Sequence, residues 1–103
     1  MISYKVYLTD KKNKDENHEF KSKEKVIECV NDANIKDYYG FKIIMNMEGT
    51  DIFIKRGIFS NTNETIEIPE LDDEWQIKDG KIINYTKYLK YLKKTEPLKG
   101  EER

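Results

Sequence analysis

Two stretches of the chain alternate large, mostly apolar residues with polar ones, and this alternation constrains the fold more than any other feature of the sequence. The first runs over residues 2–9 and the second over residues 39–47, where Ile44 is the one aliphatic residue on the polar side. Because successive side chains of a β-strand point to opposite faces of the sheet, a period of two indicates a strand with one buried face. The sequence therefore predicts at least two such strands, in a sheet that leaves one face in solvent.

Polar turns connect these strands to shorter ones. Residues 10–17 (DKKNKDEN) are all charged or amide and predict an exposed turn, after which His18–Phe20 pairs back as a short second strand. Glu48–Asp51 predicts another turn, in which Gly49 adopts a positive φ. Both turns favour antiparallel pairing of neighbouring strands.

A third short strand is expected further along the chain. The alternation resumes at Ile52, and it places Lys55 on the polar face together with Phe53. After a turn at residues 60–63, residues 65–68 form a short strand that Pro69 ends. The predicted arrangement of this middle third is an antiparallel meander of three strands.

One helix is indicated between the two alternating stretches. Ser22 is a good N-cap, and Glu24 lies in the first turn, where the helix dipole favours a negative charge. The apolar residues that follow recur at helical spacing, namely Val26, Ile27, Val30 and Ala33. We predict a helix over about residues 23–33 with one apolar stripe facing the sheet, and Asn34 is an acceptable residue to end it.

The last third of the chain allows two interpretations. Asp79-Gly80 between alternating segments is a strong hairpin signal, but Asp79 is equally suited to cap a long helix that begins at Gly80. From Tyr85 onward the apolar spacing is helical in either case, which predicts a C-terminal helix at about residues 84–94. The structure of residues 79–83 stays open at this point.

The chain of 103 residues is long enough for one hydrophobic core and too short for two. Leu, Ile, Val and Phe make up about a quarter of it, whereas 38% of the residues are charged, so the core must be small. The fold prediction is α+β: a single domain over residues 1–95, with a mainly antiparallel sheet of about five strands and both helices packed on one face. Residues 96–103 are expected to form a flexible tail.

Composition also limits the compartment and the chemistry. No apolar run approaches the ~20 residues of a membrane span, and the N-terminus does not resemble a signal peptide. One Cys and one His cannot form a disulfide framework or a zinc site, so we expect no metal and no cofactor. Abundant Lys, Ile and Asn with one Ala indicate an AT-rich gene, which favours a cytoplasmic protein of a low-GC bacterium or of a phage in its host.

No catalytic group can be assigned from the sequence. Cys29 lies near the buried stripe of the predicted helix, two turns from its start, where nothing lowers the thiol pKa. His18 is the only imidazole, and nothing in the spacing brings it to Cys29. We therefore expect a structural cysteine and a protein that is not an enzyme.

The net charge of −1 conceals two segments of opposite sign. Residues 57–77 hold six acidic residues and no basic one, whereas residues 78–94 hold six lysines and one acid. In the simplest interpretation both are solvated surface that neutralise each other in the fold. A functional interpretation assigns each segment a different partner.

The first functional hypothesis is a protein-binding module. Its acidic segment would dock onto the basic groove of a nucleic-acid-binding protein, as expected of a phage anti-defence inhibitor or a toxin-immunity protein. The predicted contact residues are Glu67, Glu70, Leu71, Asp72, Asp73, Glu74 and Trp75, with Leu71 and Trp75 as apolar anchors. An exposed strand edge permits a monomer or a homodimer.

The alternative hypothesis is binding of single-stranded nucleic acid by the C-terminal helix. Lysines would contact phosphates there, and an exposed tyrosine would stack on an unpaired base. The candidate residues are Lys87, Lys90, Tyr91, Lys93 and Lys94. The segment contains no arginine, the preferred reader of base edges, which weighs against this alternative.

Overall fold

The computed structural model describes residues 2–85 and divides the chain into two compact units, residues 1–71 and residues 72–103. The elements of the first are β1 (Ile2–Asp10), β2 (Asp15–Phe20), α1 (Lys23–Asn34), β3 (Tyr38–Met47) and β4 (Thr50–Ile58). A short 3₁₀ helix (Pro69–Asp72) ends the first unit and leads into the second, which contains β5 (Trp75–Lys78) and β6 (Lys81–Asn84).

The first unit is built on a four-stranded antiparallel sheet with the order β2-β1-β3-β4. Both alternating stretches of the sequence form its central strands, β1 and β3, which confirms that prediction. The strand β2 is longer than expected, because it begins at Asp15 and not at His18. Glu48 and Gly49 have φ of 52° and 85° and form the predicted tight turn between β3 and β4.

The helix α1 covers one face of this sheet and contacts β1, β2 and β3. Its bounds agree with the predicted range, and the Ser22 hydroxyl accepts a hydrogen bond from the Lys25 amide at 3.3 Å, as an N-cap does. The side chains buried between helix and sheet form the core of the unit. They include Val6, Leu8, Val26, Val30, Ala33, Phe41, Ile43 and Met45.

A bulge in β4 changes which side chains share a face. Ile43 lies opposite Lys55 whereas Ile44 lies opposite Phe53, so Ile54 is an extra residue between the two pairs. The prediction that Lys55 accompanies Phe53 is therefore wrong: Lys55 lies opposite the core residue Ile43. Beyond the bulge, Arg56 takes the position opposite Lys42 on the face that α1 does not cover.

The predicted strand at residues 65–68 is also wrong. Residues 59–68 contain no strand, and Phe59, Ile68 and Leu71 are buried in the core instead. Between these buried residues, the carbonyls of Thr62, Glu64 and Ile66 and the Ile66 amide form hydrogen bonds with side chains of α1. The segment therefore does not need a neighbouring strand. Leu71 has an exposed fraction of only 6%, so it stabilises the first unit and is not the exposed anchor that the sequence suggested.

The described part of the second unit is a β-hairpin, which decides between the two interpretations of residues 79–83. Lys78 pairs with Lys81 across a two-residue turn, in which Asp79 and Gly80 have φ of 50° and 72°. Both values are typical of a type I′ turn. Of the helix predicted at about 84–94, Asn84 ends β6 and Tyr85 is helical, whereas residues 86–94 lie outside the described residues, as does the predicted tail. Within residues 2–85, α1 is the one complete α-helix, and the strands form two sheets, of four and of two strands, in place of the predicted single sheet of about five. The α+β class holds, with one helix over the larger sheet.

Candidate functional site

The acidic residues of the first unit differ in how far they are exposed. Glu67 is exposed, and its backbone carbonyl accepts a hydrogen bond from Lys55 Nζ at 3.1 Å. Glu70 is half-buried, and its carboxylate lies 3.7 Å from the same ammonium group. Of the three predicted contact residues in this unit, Glu67 is open to a partner, Glu70 faces an internal cation, and Leu71 belongs to the core.

The other four predicted contact residues begin the second unit. Asp72 and Glu74 are exposed, whereas Asp73 and Trp75 are half-buried. The Glu74 carbonyl accepts a hydrogen bond from the Tyr85 amide, next to the last strand pair, Trp75 with Asn84. Glu74 therefore lies directly before β5, with its backbone held at the end of the hairpin.

Two asparagines of α1, which sequence reasoning missed, organise the acidic segment of the first unit. Asn31 Oδ1 accepts a hydrogen bond from the Ile66 amide at 2.6 Å, and Asn31 Nδ2 donates back to the Ile66 carbonyl at 3.3 Å. Asn34, which is buried, donates from Nδ2 to the carbonyls of Thr62 and Glu64, both at 3.0 Å. We call these hydrogen bonds of Asn31 and Asn34 the clamp. The only sequence signal for the clamp is the spacing of three between the two asparagines, which occurs equally at an ordinary helix end.

The side of the unit that α1 covers also presents carboxylates, which we call the acidic helix side: Glu16, Glu28, Asp32 and Glu64. All four are exposed. Lys36 Nζ lies 2.7 Å from Asp32, and the wider Lys25–Glu28 pair at 3.8 Å is likewise solvent-exposed. Exposed pairs of this kind contribute little to stability, so these carboxylates remain available to solvent or to a partner.

Cys29 and His18 line the same small cavity on this side, of about 130 Å³, together with Glu16 and Asp32. This proximity of Cys29 and His18 is not predicted by their spacing in the sequence. No hydrogen bond between the two side chains is present among the described residues, and His18 stacks against Phe20 with ring centroids 6.3 Å apart. Burial raises the pKa of the Cys29 thiol, and the nearby Asp32 and Glu16 carboxylates raise it further. This environment disfavours the thiolate, in agreement with a structural role for the cysteine.

The opposite face of the sheet, which we call the open face, has different chemistry. Across three strands, Tyr7 lies opposite Lys42, and Lys42 lies opposite Arg56. Lys42 Nζ lies 4.9 Å from the centroid of the Tyr7 ring, and the Arg56 guanidinium lies 6.0 Å from that of Phe53. A shallow cavity of about 250 Å³ opens beside the Tyr7–Lys42–Arg56 row.

Several expectations concern residues or groups that the structure does not test. Lys87, Lys90, Tyr91, Lys93 and Lys94, the candidates for nucleic-acid binding, lie outside the described residues. Within residues 2–85, no cluster of three or more His, Cys, Asp or Glu side chains has the geometry to hold a metal ion. In the same range, no helix combines the length and the apolar character that crossing a membrane requires.

Comparison with known proteins adds no family. No family model, no curated protein and no solved structure matches this chain. The described residues define a small α+β protein, in which a four-stranded antiparallel sheet with one covering helix forms the first unit and a β-hairpin belongs to the second. The candidate functional surfaces of the described residues are therefore the acidic segment, the acidic helix side and the open face.

Proposed function

We propose that this protein is a non-enzymatic binding module: a small inhibitor, of the phage anti-defence or toxin-immunity type, that docks an acidic surface onto a basic, nucleic-acid-binding partner. The acidic surface is the segment of residues 64–74. It contains six carboxylates and no cationic side chain, so its charge resembles that of the phosphates which such a partner binds.

The observation that carries the proposal is the ordering of this segment by the helix. Residues 62–66 have no regular secondary structure, yet Asn31 and Asn34 hold their backbone with four hydrogen bonds. A segment that is ordered before binding loses less conformational entropy when it docks. The exposed carboxylates of Glu64 and Glu67 therefore project from a fixed backbone.

The two apolar anchors of the hypothesis contribute differently. Leu71 is buried, so it holds the acidic segment to the core of the first unit and does not contact a partner. Trp75 is half-buried at the start of β5, which leaves part of the indole ring for an interface. A large aromatic side chain with carboxylates around it is typical of an interface hot spot.

The test uses the full chain as bait in a host lysate, followed by affinity measurements with the captured partner. A variant with Asp72→Lys, Asp73→Lys and Glu74→Lys is expected to lose at least about tenfold in affinity, since it brings lysines against a basic partner and like charges across an interface strongly oppose binding. The affinity of the unaltered chain is expected to fall steeply with salt, and single-stranded or duplex DNA is expected to compete for the partner.

A matched control reverses three exposed carboxylates elsewhere, with Glu19→Lys, Asp37→Lys and Glu48→Lys. It changes the net charge by the same amount, so a loss confined to the first variant separates a defined surface from a general charge effect. Equal affinity of the first variant and the unaltered chain would contradict the proposal. Equal losses in both variants would contradict it as well.

A further inference from the structure

The open face goes beyond the proposed function, because its chemistry suits a partner of the opposite charge. Its strands β1, β3 and β4 present three cations, Lys5, Lys42 and Arg56. The carboxylates of this face lie at its margins: Asp15 and Glu19 on the edge strand β2, and Asp51 beside the turn into β4. The centre of the face is therefore basic although the described residues as a whole are acidic.

Two of these cations have no anionic partner in the part of the chain that the structure describes. Among residues 2–85, no carboxylate lies within ion-pair distance of Lys42 or Arg56, and each is placed beside an aromatic ring instead. Their placement leaves two positive charges for an anion that comes from outside the described residues.

Aromatic side chains on the same face are exposed to an unusual degree. Phe53 has an exposed fraction of 54% and Tyr39 one of 51%, and the aliphatic Ile58 reaches 70%. Tyr39 and Tyr7 both line the shallow cavity, together with the Lys42 and Arg56 side chains. Aromatic rings beside unpaired cations form the combination that binds single-stranded nucleic acid, since every base has a π-face to stack and every nucleotide has a phosphate.

The volume and the lining of the cavity indicate that it holds one part of a larger ligand. Its 250 Å³ is below the roughly 300–1,000 Å³ of a pocket that encloses a whole small molecule. Asn13 and Asp15 line its rim at the β1–β2 turn, where both offer hydrogen-bond partners to a base edge and the Asp15 carboxylate repels a phosphate. Lys42 and Arg56 lie on the other side, toward β4, where a phosphate is attracted.

We propose that the open face binds single-stranded nucleic acid, with one base in the cavity between Tyr7 and Tyr39 and the adjoining phosphates at Lys42 and Arg56. The Lys42 ammonium leaves the Tyr7 ring when a base stacks there, and its flexible stem allows it to reach a phosphate. Phe53, in the next row of the sheet, stacks a neighbouring base. This surface does not include the acidic segment of the proposed function, so the two proposals can fail separately.

The experiment measures binding of a fluorescein-labelled oligothymidylate of about eight nucleotides to the full chain by anisotropy at low salt, a length within the usual site sizes for single strands. Tyr39→Leu is expected to lower the affinity roughly 5- to 100-fold, the range that loss of one base–aromatic stack produces. The control is Tyr38→Leu, because the neighbouring Tyr38 lines the cavity on the acidic helix side. This control variant should leave the affinity unchanged.

A second variant tests the cations. The double change Lys42→Gln and Arg56→Gln is expected to reduce the slope of log affinity against log salt by roughly 1.4, at about 0.7 for each phosphate contact with a single strand. Replacement of Lys25, which is exposed at the start of α1, by Gln removes a positive charge from the other side and serves as its control. Amide NMR shifts on adding the oligonucleotide should concentrate in β1, β3 and β4.

Several outcomes would overturn the assignment. They are the absence of binding at low salt, equal affinity for a duplex or for inorganic polyphosphate, and equal affinity for thymidine monophosphate, which would mean a site for a free nucleotide. A loss of binding in a Lys90→Gln, Lys93→Gln, Lys94→Gln variant but not in the open-face variants would move the site to the C-terminal segment. Capture of a protein by the open face without any binding of oligonucleotide would also exclude the single strand.

Discussion

The acidic helix side and the open face belong to the same four-stranded sheet, yet they differ in both burial and charge. Helix α1 and residues 59–71 cover the first side, so the strand residues beneath them are mostly apolar. Three of its four carboxylates are carried by these covering elements, and the fourth, Glu16, lies on the edge strand β2. Nothing in the described part of the first unit covers the open face, where the strands themselves carry the cations and aromatic rings. The strand pattern therefore sets the chemistry of the open face directly, whereas the chemistry of the acidic helix side depends on tertiary packing.

The prediction with the largest expected effect compares two neighbouring residues of β3, one on each side of the sheet. Ile43 is fully buried beneath α1, so Ile43→Ala is expected to lower the free energy of unfolding by about 2–5 kcal/mol, from lost transfer energy and a residual cavity. Ile44 lies on the open face, and Ile44→Ala is expected to cost less than about 1 kcal/mol. Urea unfolding followed by circular dichroism gives both values. Similar losses for the two variants would mean that the open face is covered in solution.

The clamp between α1 and the acidic segment provides the second test. Asn31→Ala leaves the Ile66 amide and carbonyl without their side-chain partners, and we expect a loss of about 1–3 kcal/mol in the free energy of unfolding. Asn17→Ala, at an exposed position on β2, should change it by less than about 0.5 kcal/mol.

The same variant connects stability with function. If the clamp orders the acidic segment, amide hydrogen exchange in Asn31→Ala should accelerate at residues 62–68 and remain slow in the strands of the open face. Unchanged exchange at residues 62–68 would show that the buried side chains Phe59, Ile68 and Leu71 suffice to hold the segment.

The sequence predicted those parts of the fold that depend on local pattern. The alternation at residues 2–9 and 39–47, the Ser22 cap and the Glu48-Gly49 turn are each specified by a few adjacent residues. Residues 79–83 were ambiguous because Asp-Gly suits both a hairpin turn and a helix start, and the pairing of Trp75 with Asn84 decides the matter only through contacts distant in sequence.

Two structural predictions were wrong because features that the local sequence pattern does not show changed where the residues lie. Lys55 changes face because of a bulge at Ile54, which no alternation pattern reveals. Residues 65–68 alternate like a strand, but the side chains of two helix asparagines form hydrogen bonds with backbone groups of residues 62–66. Leu71, a few residues further along, is buried in the core. The open face could have been found from the sequence, since Tyr7, Lys42 and Phe53 all fall on the polar side of their strands. What the sequence could not give is the pairing that places them in adjacent rows.

A third prediction concerns substitutions that destabilise the covering helix and leave the residues of the open face unchanged. Ser22→Ala removes the acceptor of the Lys25 amide and is expected to cost about 1 kcal/mol of stability, whereas Ser22→Gly should cost only a few tenths. Hydrogen exchange should accelerate at the start of α1 and not in β3 or β4. An Ala variant as stable as the Gly variant would mean that solvent replaces the cap.

The smallest effect concerns the pH dependence of Cys29 on the acidic helix side. Because burial and neighbouring carboxylates raise the pKa of this thiol, the rate of its alkylation by iodoacetamide should reach half its maximum at a higher pH in the folded chain than in the same chain unfolded in urea. The folded state then holds its proton more tightly than the unfolded state does. The resulting stabilisation is complete below the unfolded pKa and is lost as the pH rises through the folded pKa.

The difference in stability between the unaltered chain and Cys29→Ala should accordingly narrow as the pH rises over that interval. The Cys29→Ala variant is its own control, because the packing it removes is the same at every pH. If the folded thiol instead reacted at a lower pH than the unfolded one, some group beside it would be stabilising the thiolate. His18, which lines the same cavity, would then be the first candidate, and the structural interpretation of Cys29 would be wrong.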